Sequence, residues 1–273
     1  MSPWALRRGR ALALATERSH AAEMLRCYAD VTVAQERIGA RVPMREWTSA
    51  ASSGGADGPV LRLSTLPAGD LLALFDAFLS DLTEVGTEVM KASRDEIAAA
   101  SPSARTEHME KALTPAPFDE GPDRFHSRAF VEATATTLAG RVLPAADPPV
   151  TEGPTRCRVC DAPPIVATLR DLPGALGSRS VVCCRCSYEQ RLRRLTCVSC
   201  GEAKADRLSV HTAESLPHVR IDECSSCGHY IKTIDLRRRG DAVPIVEDLA
   251  TPELDLWAAD RGLTKGRKNL FGL

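Results

Sequence analysis

Apolar residues recur every three or four positions through the first half of the chain, which is the spacing of one buried face of an α-helix. This pattern predicts long helices over residues 5–40, 67–92 and 123–142, with a shorter helix over 102–113. In the second long helix, the predicted buried stripe is Leu71, Phe75, Phe78, Leu82, Val85 and Val89. We expect these faces to pack together as a helical bundle.

The pattern changes at residues 144–155, a proline-rich stretch that we interpret as a linker between domains. Beyond it the helical spacing disappears, and short apolar runs predict β-strands. These runs are 165–169, 179–182, 208–211 and 230–236. A last helix is predicted near 252–262, where Gly262 is placed to end it.

Eight of the ten cysteines form four Cys-x-x-Cys pairs. The pairs are Cys157/Cys160, Cys183/Cys186, Cys197/Cys200 and Cys224/Cys227. Two thiolates at this spacing bind one metal ion from a tight turn, and a second such turn completes a tetrahedral four-sulfur shell. We therefore predict two metal sites that use all eight of these cysteines as ligands.

The cysteine pairs show an internal duplication. The first and third pairs start 40 positions apart, and the second and fourth start 41 apart. The duplication favours a site built from the first and second pairs and another built from the third and fourth. The alternative joins the second pair to the third and leaves the outer pairs to meet. The residue after each turn is expected to need a positive φ; these residues are Asp161, Ser187, Gly201 and Gly228.

Together these patterns predict an α+β protein. An N-terminal α-helical domain is followed by two tandem small metal modules of the rubredoxin-like or zinc-ribbon type and by a short C-terminal helix. The predicted divisions are a helical domain at 1–143, the linker at 144–155, modules at 156–194 and 195–240, and a tail at 241–273.

The predicted metal sites argue against catalysis. Four thiolates suit either iron or zinc, and the sequence leaves that choice open. A closed four-coordinate site offers no position for water or substrate. The sequence also has no phosphate-binding glycine loop, nucleophile elbow or His-Glu metal motif. We therefore predict that the protein is not an enzyme. The roles of Cys27 and Cys184, which lie outside the pairs, stay open.

Charge and hydropathy narrow the possible partners. The net charge is −1, so no general attraction to nucleic acid or anionic lipid is expected. Arginines cluster at 191–194 and 237–239, but aromatic residues for base stacking make up only 4% of the chain. The apolar run at 11–15 is too short for an export signal, and no stretch is long enough to span a membrane. We expect a cytoplasmic protein without membrane insertion, whose oligomeric state the sequence does not determine.

The motifs around the cysteines resemble one family, the formate dehydrogenase accessory protein FdhE. The resemblance lies in the four cysteine pairs, in Tyr230-Ile-Lys232, in Glu247-Asp248-Leu249 and in the ending Asn269-Leu270-Phe271. It covers residues 150–273 well and extends weakly into the helical part, around residues 25–28. Two positions depart from the family pattern, because Leu270 stands where a proline is usual and Gln190 where a tryptophan is common.

The resemblance implies a cytoplasmic maturation factor that binds the catalytic subunit of a molybdenum- or tungsten-containing formate dehydrogenase. Such a factor is needed for that enzyme to become active, before or during export. The sequence leaves two other functions open. The first is electron transfer or redox sensing through bound iron, and the second is nucleic-acid binding by tandem zinc ribbons.

Overall fold

The first half of the chain is helical in the computed structural model, which describes residues 1–43, 46–48, 59–113, 122–142, 150 and 155–273. The helices are α1 (Pro3–Glu17), α2 (Ala22–Arg41), α3 (Ala68–Asp81), α4 (Glu88–Ala99), α5 (Pro102–Leu113) and α6 (Pro122–Val142). Helix α6 lies at the centre of this half, because it contacts α2, α3, α4 and α5.

Two of the long predicted helices are each divided in two. The predicted helix 5–40 breaks at Arg18, whose φ of −129° and ψ of 83° lie outside the helical region. The predicted helix 67–92 ends near Leu82, and Gly86, with a φ of +93°, lies in the turn before α4. The apolar spacing continues across both breaks, so periodicity alone did not reveal them. The predicted stripe is therefore wrong at its end, where Val89 is 65% exposed.

Aromatic side chains form the centre of the helical core. Phe75 and Phe78 of α3 are fully buried and contact Phe130 of α6, with ring centroids 5.3 and 5.9 Å apart. Trp47, from the short helical turn at 46–48, is also fully buried. These contacts confirm the helical bundle, since large apolar residues from distant helices converge on one core.

A buried histidine in α6 is expected to make the helical domain sensitive to acid. Burial, with the nearby charges of Arg94 and His108, lowers the pKa of His126 to about 4. The unfolded chain, with an ordinary histidine pKa near 6.5, binds this proton more readily than the folded chain. His126 therefore costs no stability well above pH 6.5. Through this residue, the free energy of unfolding is expected to fall by about 3 kcal/mol as the pH drops to 4.

The check is urea unfolding between pH 7.5 and 4.5 for the wild type and His126→Phe. The variant should lose this part of the pH dependence, whereas the exposed control His20→Phe should keep it. If the free energy of unfolding of His126→Phe depended on pH as it does in the wild type, the acid sensitivity would come from other groups.

The second half of the chain folds around one sheet. Its strands are β1 (Pro164–Leu172), β2 (Ala175–Cys183), β3 (Glu189–Leu192), β4 (Leu208–Thr212), β5 (Val219–Cys224), β6 (His229–Asp235) and β7 (Thr264–Lys265). The strand order is β3-β2-β1-β6-β5-β4, with β7 paired to β6. Four of these strands match the runs predicted from the sequence, whereas β3, β5 and β7 were not predicted. Strands β3 and β7 contain almost no apolar residues, and β5 alternates apolar with charged residues only over Val219–Asp222.

A parallel pairing between β1 and β6 joins the two cysteine-containing halves. Ala167 pairs with Thr233, and Leu169 pairs with Asp235. Each half contributes its own antiparallel strands, and this central pairing makes them one continuous sheet. The two predicted modules therefore share a hydrogen-bonded boundary. The predicted linker 144–155 lies outside the described residues, except for Val150 and Thr155.

Two short helices follow the sheet, α7 (Pro244–Leu249) and α8 (Pro252–Asp260). Helix α7 contacts α1, α2 and β1, so it lies between the helical half and the sheet. Helix α8 ends as predicted, because Gly262 has a φ of +73°. The observed architecture confirms the predicted α+β class, with helices first, a cysteine-bearing sheet second and short helices last.

Candidate metal centres

The first two cysteine pairs meet at one point, which we call the first centre (Cys157, Cys160, Cys183 and Cys186). Cys157 Sγ lies 3.5 Å from Cys186 Sγ, and Cys160 Sγ lies 3.5 Å from Cys183 Sγ. All four sulfur atoms lie within 4.8 Å of one another. They are brought together because the hairpin of β1 and β2 places the second turn beside the first.

The last two pairs form the second centre (Cys197, Cys200, Cys224 and Cys227). The distance from Cys197 Sγ to Cys227 Sγ and that from Cys200 Sγ to Cys224 Sγ are both 3.7 Å. The structure thus groups the cysteines as the duplication predicts, first pair with second and third with fourth. Across the described ranges, 1–43 through 155–273 with their gaps, these two clusters are the only groups of three or more metal-binding side chains whose ligand atoms lie this close together.

The spacing of the sulfur atoms fits a tetrahedral metal ion. A metal–sulfur bond of about 2.3 Å places the four sulfur atoms of a tetrahedron roughly 3.8 Å apart. The observed sulfur distances of 3.5 to 3.7 Å are close to that value. Backbone N–H groups also point at sulfur, because Arg185 N donates to Cys183 Sγ and Ser199 N to Cys197 Sγ, each at 3.4 Å. Such bonds orient a thiolate and stabilise its charge.

The residue after each turn has the predicted left-handed backbone. The φ values are 56° at Asp161, 59° at Ser187, 80° at Gly201 and 70° at Gly228. This conformation lets the N–H of Gly201 donate to Cys197 O at 3.0 Å and that of Gly228 to Cys224 O at 2.9 Å. The two non-glycine residues each make side-chain contacts, Asp161 with Arg156 and Ser187 with Arg7 and Thr136.

The two centres differ in their surroundings. All four cysteines of the first centre are buried and belong to the same apolar cluster as the helical core. In the second centre Cys200 is exposed and Cys227 is only partly buried. Burial, together with the neighbouring sulfur atoms, raises the pKa of Cys183 well above its usual range. Four ionised thiolates in this buried position therefore need a cation beside them.

Helical residues hold the second turn of the first centre. Arg7 of α1 donates to Ser187 Oγ and to Glu132 Oε1, the latter at 2.7 Å. Arg185 donates to Ala112 O at the end of α5, at 3.1 Å. The first centre therefore lies at the seam between the helices and the sheet, and its geometry depends on both.

A buried charge network, which the sequence did not reveal as such, holds the tail against the sheet. Lys232 is fully buried in β6, and its Nζ lies 2.7 Å from Asp255 Oδ2 and 3.1 Å from Asp248 Oδ1. Lys265 Nζ contacts Asp248 Oδ1 at 2.8 Å. Burial works against the charge of Lys232, yet the two carboxylates raise its pKa above the usual value. Burial also opposes ionisation of Asp248, but the two lysines lower its pKa.

The C-terminal residues complete this network. Asn269 donates to Asp248 Oδ2 at 3.0 Å, and its own Oδ1 accepts from the backbone N–H groups of Phe271 and Leu273. Phe271 packs against Phe125 of α6, with ring centroids 5.3 Å apart. The motifs that suggested a family from sequence, around Lys232, Asp248 and Asn269, are thus one structural unit.

The two unusual positions also have structural roles. Gln190 is buried, donates to Arg156 O at 3.1 Å and accepts from Arg158 N at 3.2 Å, so it fastens β3 to the first cysteine turn. Leu270 packs against the helical core and against the apolar cluster of α1, α2 and α7. The two residues that depart from the family pattern, Gln190 and Leu270, therefore both make contacts inside the protein.

The remaining thiols and imidazoles lie outside the two centres. Cys27 is in α2, where burial and the charges of Asp30 and Glu23 raise its pKa to about 11. Cys184 is beside Cys183 and lines a small cavity between the helices and the sheet. The histidines near the sheet have other partners, because His211 contacts Glu223 and His218 contacts Glu247.

Within the described part of the chain, no helix combines the length and the apolar character that crossing a bilayer requires.

Comparison with known proteins finds similarity to one family in the C-terminal part of the chain. Residues 195–271 match the family model described as FdhE, C-terminal domain. An FdhE homolog from Aquifex aeolicus is 38% identical over 116 residues, which are 42% of this chain and 41% of that protein. An FdhE homolog from Stutzerimonas stutzeri is 33% identical over 121 residues, 44% of this chain and 39% of that protein. The chain thus aligns with about two fifths of the length of these curated relatives.

The fold extends this likeness over the whole chain. The crystal structure of the FdhE protein from Pseudomonas aeruginosa superposes with a TM-score of 0.77 and 22% sequence identity. The match covers 98% of this chain and 95% of that one, so the two proteins share the same fold. The resemblance to the FdhE family expected from the sequence is confirmed.

Proposed function

From the FdhE C-terminal domain at 195–271 and the FdhE fold of the chain, we propose that this protein is a formate dehydrogenase maturation factor. It binds the catalytic subunit of a molybdenum- or tungsten-containing formate dehydrogenase in the cytoplasm, before or during export. It helps that subunit to become active and is not part of the finished enzyme. The observation that carries this proposal is the family match, since closed cysteine sites suit many proteins.

We further propose that the eight cysteines hold two metal ions, iron or zinc, one in each centre. The ions supply structure there, because four sulfur ligands leave no open coordination position. The chain's own residues do the remaining work. Backbone N–H groups orient the sulfur atoms, and Arg7 and Arg185 fix the first centre against the helices. The protein thereby presents a rigid surface to its partner and is not itself an enzyme.

Iron-based electron transfer is a second candidate, and one observation favours it. The exposure of Cys200 brings the second centre to the protein surface, where a redox partner could approach it. Metal analysis with visible absorption of anaerobically purified protein separates the two functions. Tightly bound zinc without colour would eliminate electron transfer and leave the maturation role unaffected.

Co-purification tests the proposed partner. The tagged full chain is expressed anaerobically with the formate dehydrogenase catalytic subunit, either lacking its cofactor or fully mature. We expect the cofactor-free subunit to be enriched on the tagged protein and the mature subunit to pass through. Equal recovery of both forms would contradict a maturation role, and recovery of neither would contradict the partner.

A further inference from the structure

A groove of about 240 Å³ lies between the cysteine turns of the two centres. Arg156 and Pro163 line it from the first half of the sheet region, Val198, Ser199 and His229 from the second, and Arg267 from the tail. The groove thus brings together three segments that are far apart in the sequence.

Backbone contacts fix the shape of this groove. Thr155 N donates to Val198 O at 2.8 Å and so ties the first cysteine turn to the third. Gly266 N donates to Tyr230 O at 3.0 Å and so holds the tail at the other wall. A Cβ atom at Gly266 would lie 3.2 Å from Ser199 Oγ, which is closer than ordinary packing allows. Glycine at this position therefore preserves the space between the walls.

Two positively charged side chains, Arg156 and Arg267, line the groove, and its described lining residues include no carboxylate. Arg156 is paired with Asp161 at 3.3 Å, but the two side chains are 45% and 49% exposed. An exposed pair of this kind adds little to stability, so Arg156 can exchange Asp161 for another carboxylate at little cost.

We propose that this groove binds a carboxylate-bearing segment of a protein partner. The charge of Arg156 and Arg267 selects an anion, and the planar guanidinium of Arg156 can hold a carboxylate through two parallel hydrogen bonds. Pro163, Val198 and Ile231 give the groove apolar walls, which suit a peptide better than a free inorganic ion. Its volume of about 240 Å³ lies below the ~300–1,000 Å³ of small-molecule pockets, so it fits side chains of a peptide rather than a whole cofactor.

This inference deepens the proposed function and rests on it for the identity of the partner, which would dock across both centres at once. A segment bound here would contact the first half of the sheet region, the second half and the tail. Docking would therefore depend on the parallel pairing of β1 with β6 that sets the distance between the two centres.

The test uses the metal-loaded full chain and a fluorescein-labelled hexapeptide of alternating valine and glutamate, with binding followed by fluorescence polarisation. We expect Arg156→Gln and Arg267→Gln each to weaken binding at least about tenfold, the effect of losing a charge-assisted hydrogen bond. The matched control is Arg158→Gln, an exposed arginine of the same cysteine turn that does not line the groove, and its affinity should be unchanged. Ser199→Leu, which narrows the groove without removing charge, should also weaken binding.

Three outcomes overturn the proposal. If a glutamine version of the peptide bound as tightly as the glutamate version, the groove would not recognise the negative charge of the peptide. Equal competition by inorganic phosphate at matched ionic strength would assign the groove to free anions. Loss of metal from Arg156→Gln, with peptide binding kept, would show that the arginine only offsets the charge of the centres. The assay contains no formate dehydrogenase, so a negative result leaves the proposed function to the co-purification experiment.

Discussion

Cys160→Ser is expected to remove one metal ion per chain and to lower the melting temperature by at least about 10 °C. Structural zinc in a four-ligand site contributes roughly 10–16 kcal/mol to folding, which is as large as the stability of a typical domain. The first centre is also buried within the helical core. Its loss should therefore loosen the sheet and expose the apolar surface of the helices. Calorimetry and metal analysis of the purified variant provide the measurement.

Cys200→Ser is the matched control, because it removes the equivalent ligand of the second centre. Cys200 is exposed, and the second centre is outside the helical core, so the helical domain should stay folded. We expect the loss of one metal ion, a local change in β4 and β5, and unchanged unfolding of the helices. Equal damage from the two substitutions would mean that burial of the first centre does not couple it to the helical core.

Lys232→Met is expected to destabilise the protein by about 3–5 kcal/mol, although methionine fills a similar volume. The substitution leaves Asp248 and Asp255 buried with Lys265 as the remaining cation of the network. Removing one partner of a buried ion pair leaves a charge that neither water nor a counter-charge compensates. Urea unfolding, followed by circular dichroism, measures the loss.

Two further variants separate charge from packing in this network. Lys204→Met, at an exposed lysine of the same half, should change stability by less than about 0.5 kcal/mol. Adding Asp248→Asn to Lys232→Met removes the excess negative charge and should recover part of the lost stability. The stability loss of the double variant is compared with the sum of the losses of the two single variants. If the double variant lost more than this sum, the cost would come from packing and not from the unpaired carboxylates.

The helical half shows which helix boundaries the periodicity of apolar residues can predict and which it cannot. The spacing of apolar residues located the helical segments, and the predicted ends of α5 and α6 agree closely with the structure. It did not show the breaks at Arg18 and Gly86, because the apolar spacing in the sequence continues past both of them, although Val89 after the second break is exposed. At Gly86 the break has a local cause, because its φ of +93° is one that glycine adopts without a steric penalty.

The candidate docking groove was not accessible to sequence reasoning. Arg156 and Arg267 are more than a hundred positions apart, and neither belongs to a motif. They line the same groove because β7 pairs with β6 and the tail then turns back toward the first cysteine turn. The buried lysines are a related case, since Lys232 reads as a polar residue of a strand until α7 and α8 cover it.

By itself, the sequence predicted the candidate metal ligands and their grouping. Two thiolates held two residues apart form half of a tetrahedral site through local backbone geometry, and the 40-residue duplication indicated which halves combine. Only the tertiary structure decided that the first centre is buried against the helices while the second reaches the surface. It also decided that β1 and β6 join both halves into one sheet. The physical reason is that ligand spacing is a property of a few neighbouring residues, whereas burial and long-range pairing depend on what the rest of the chain brings against them.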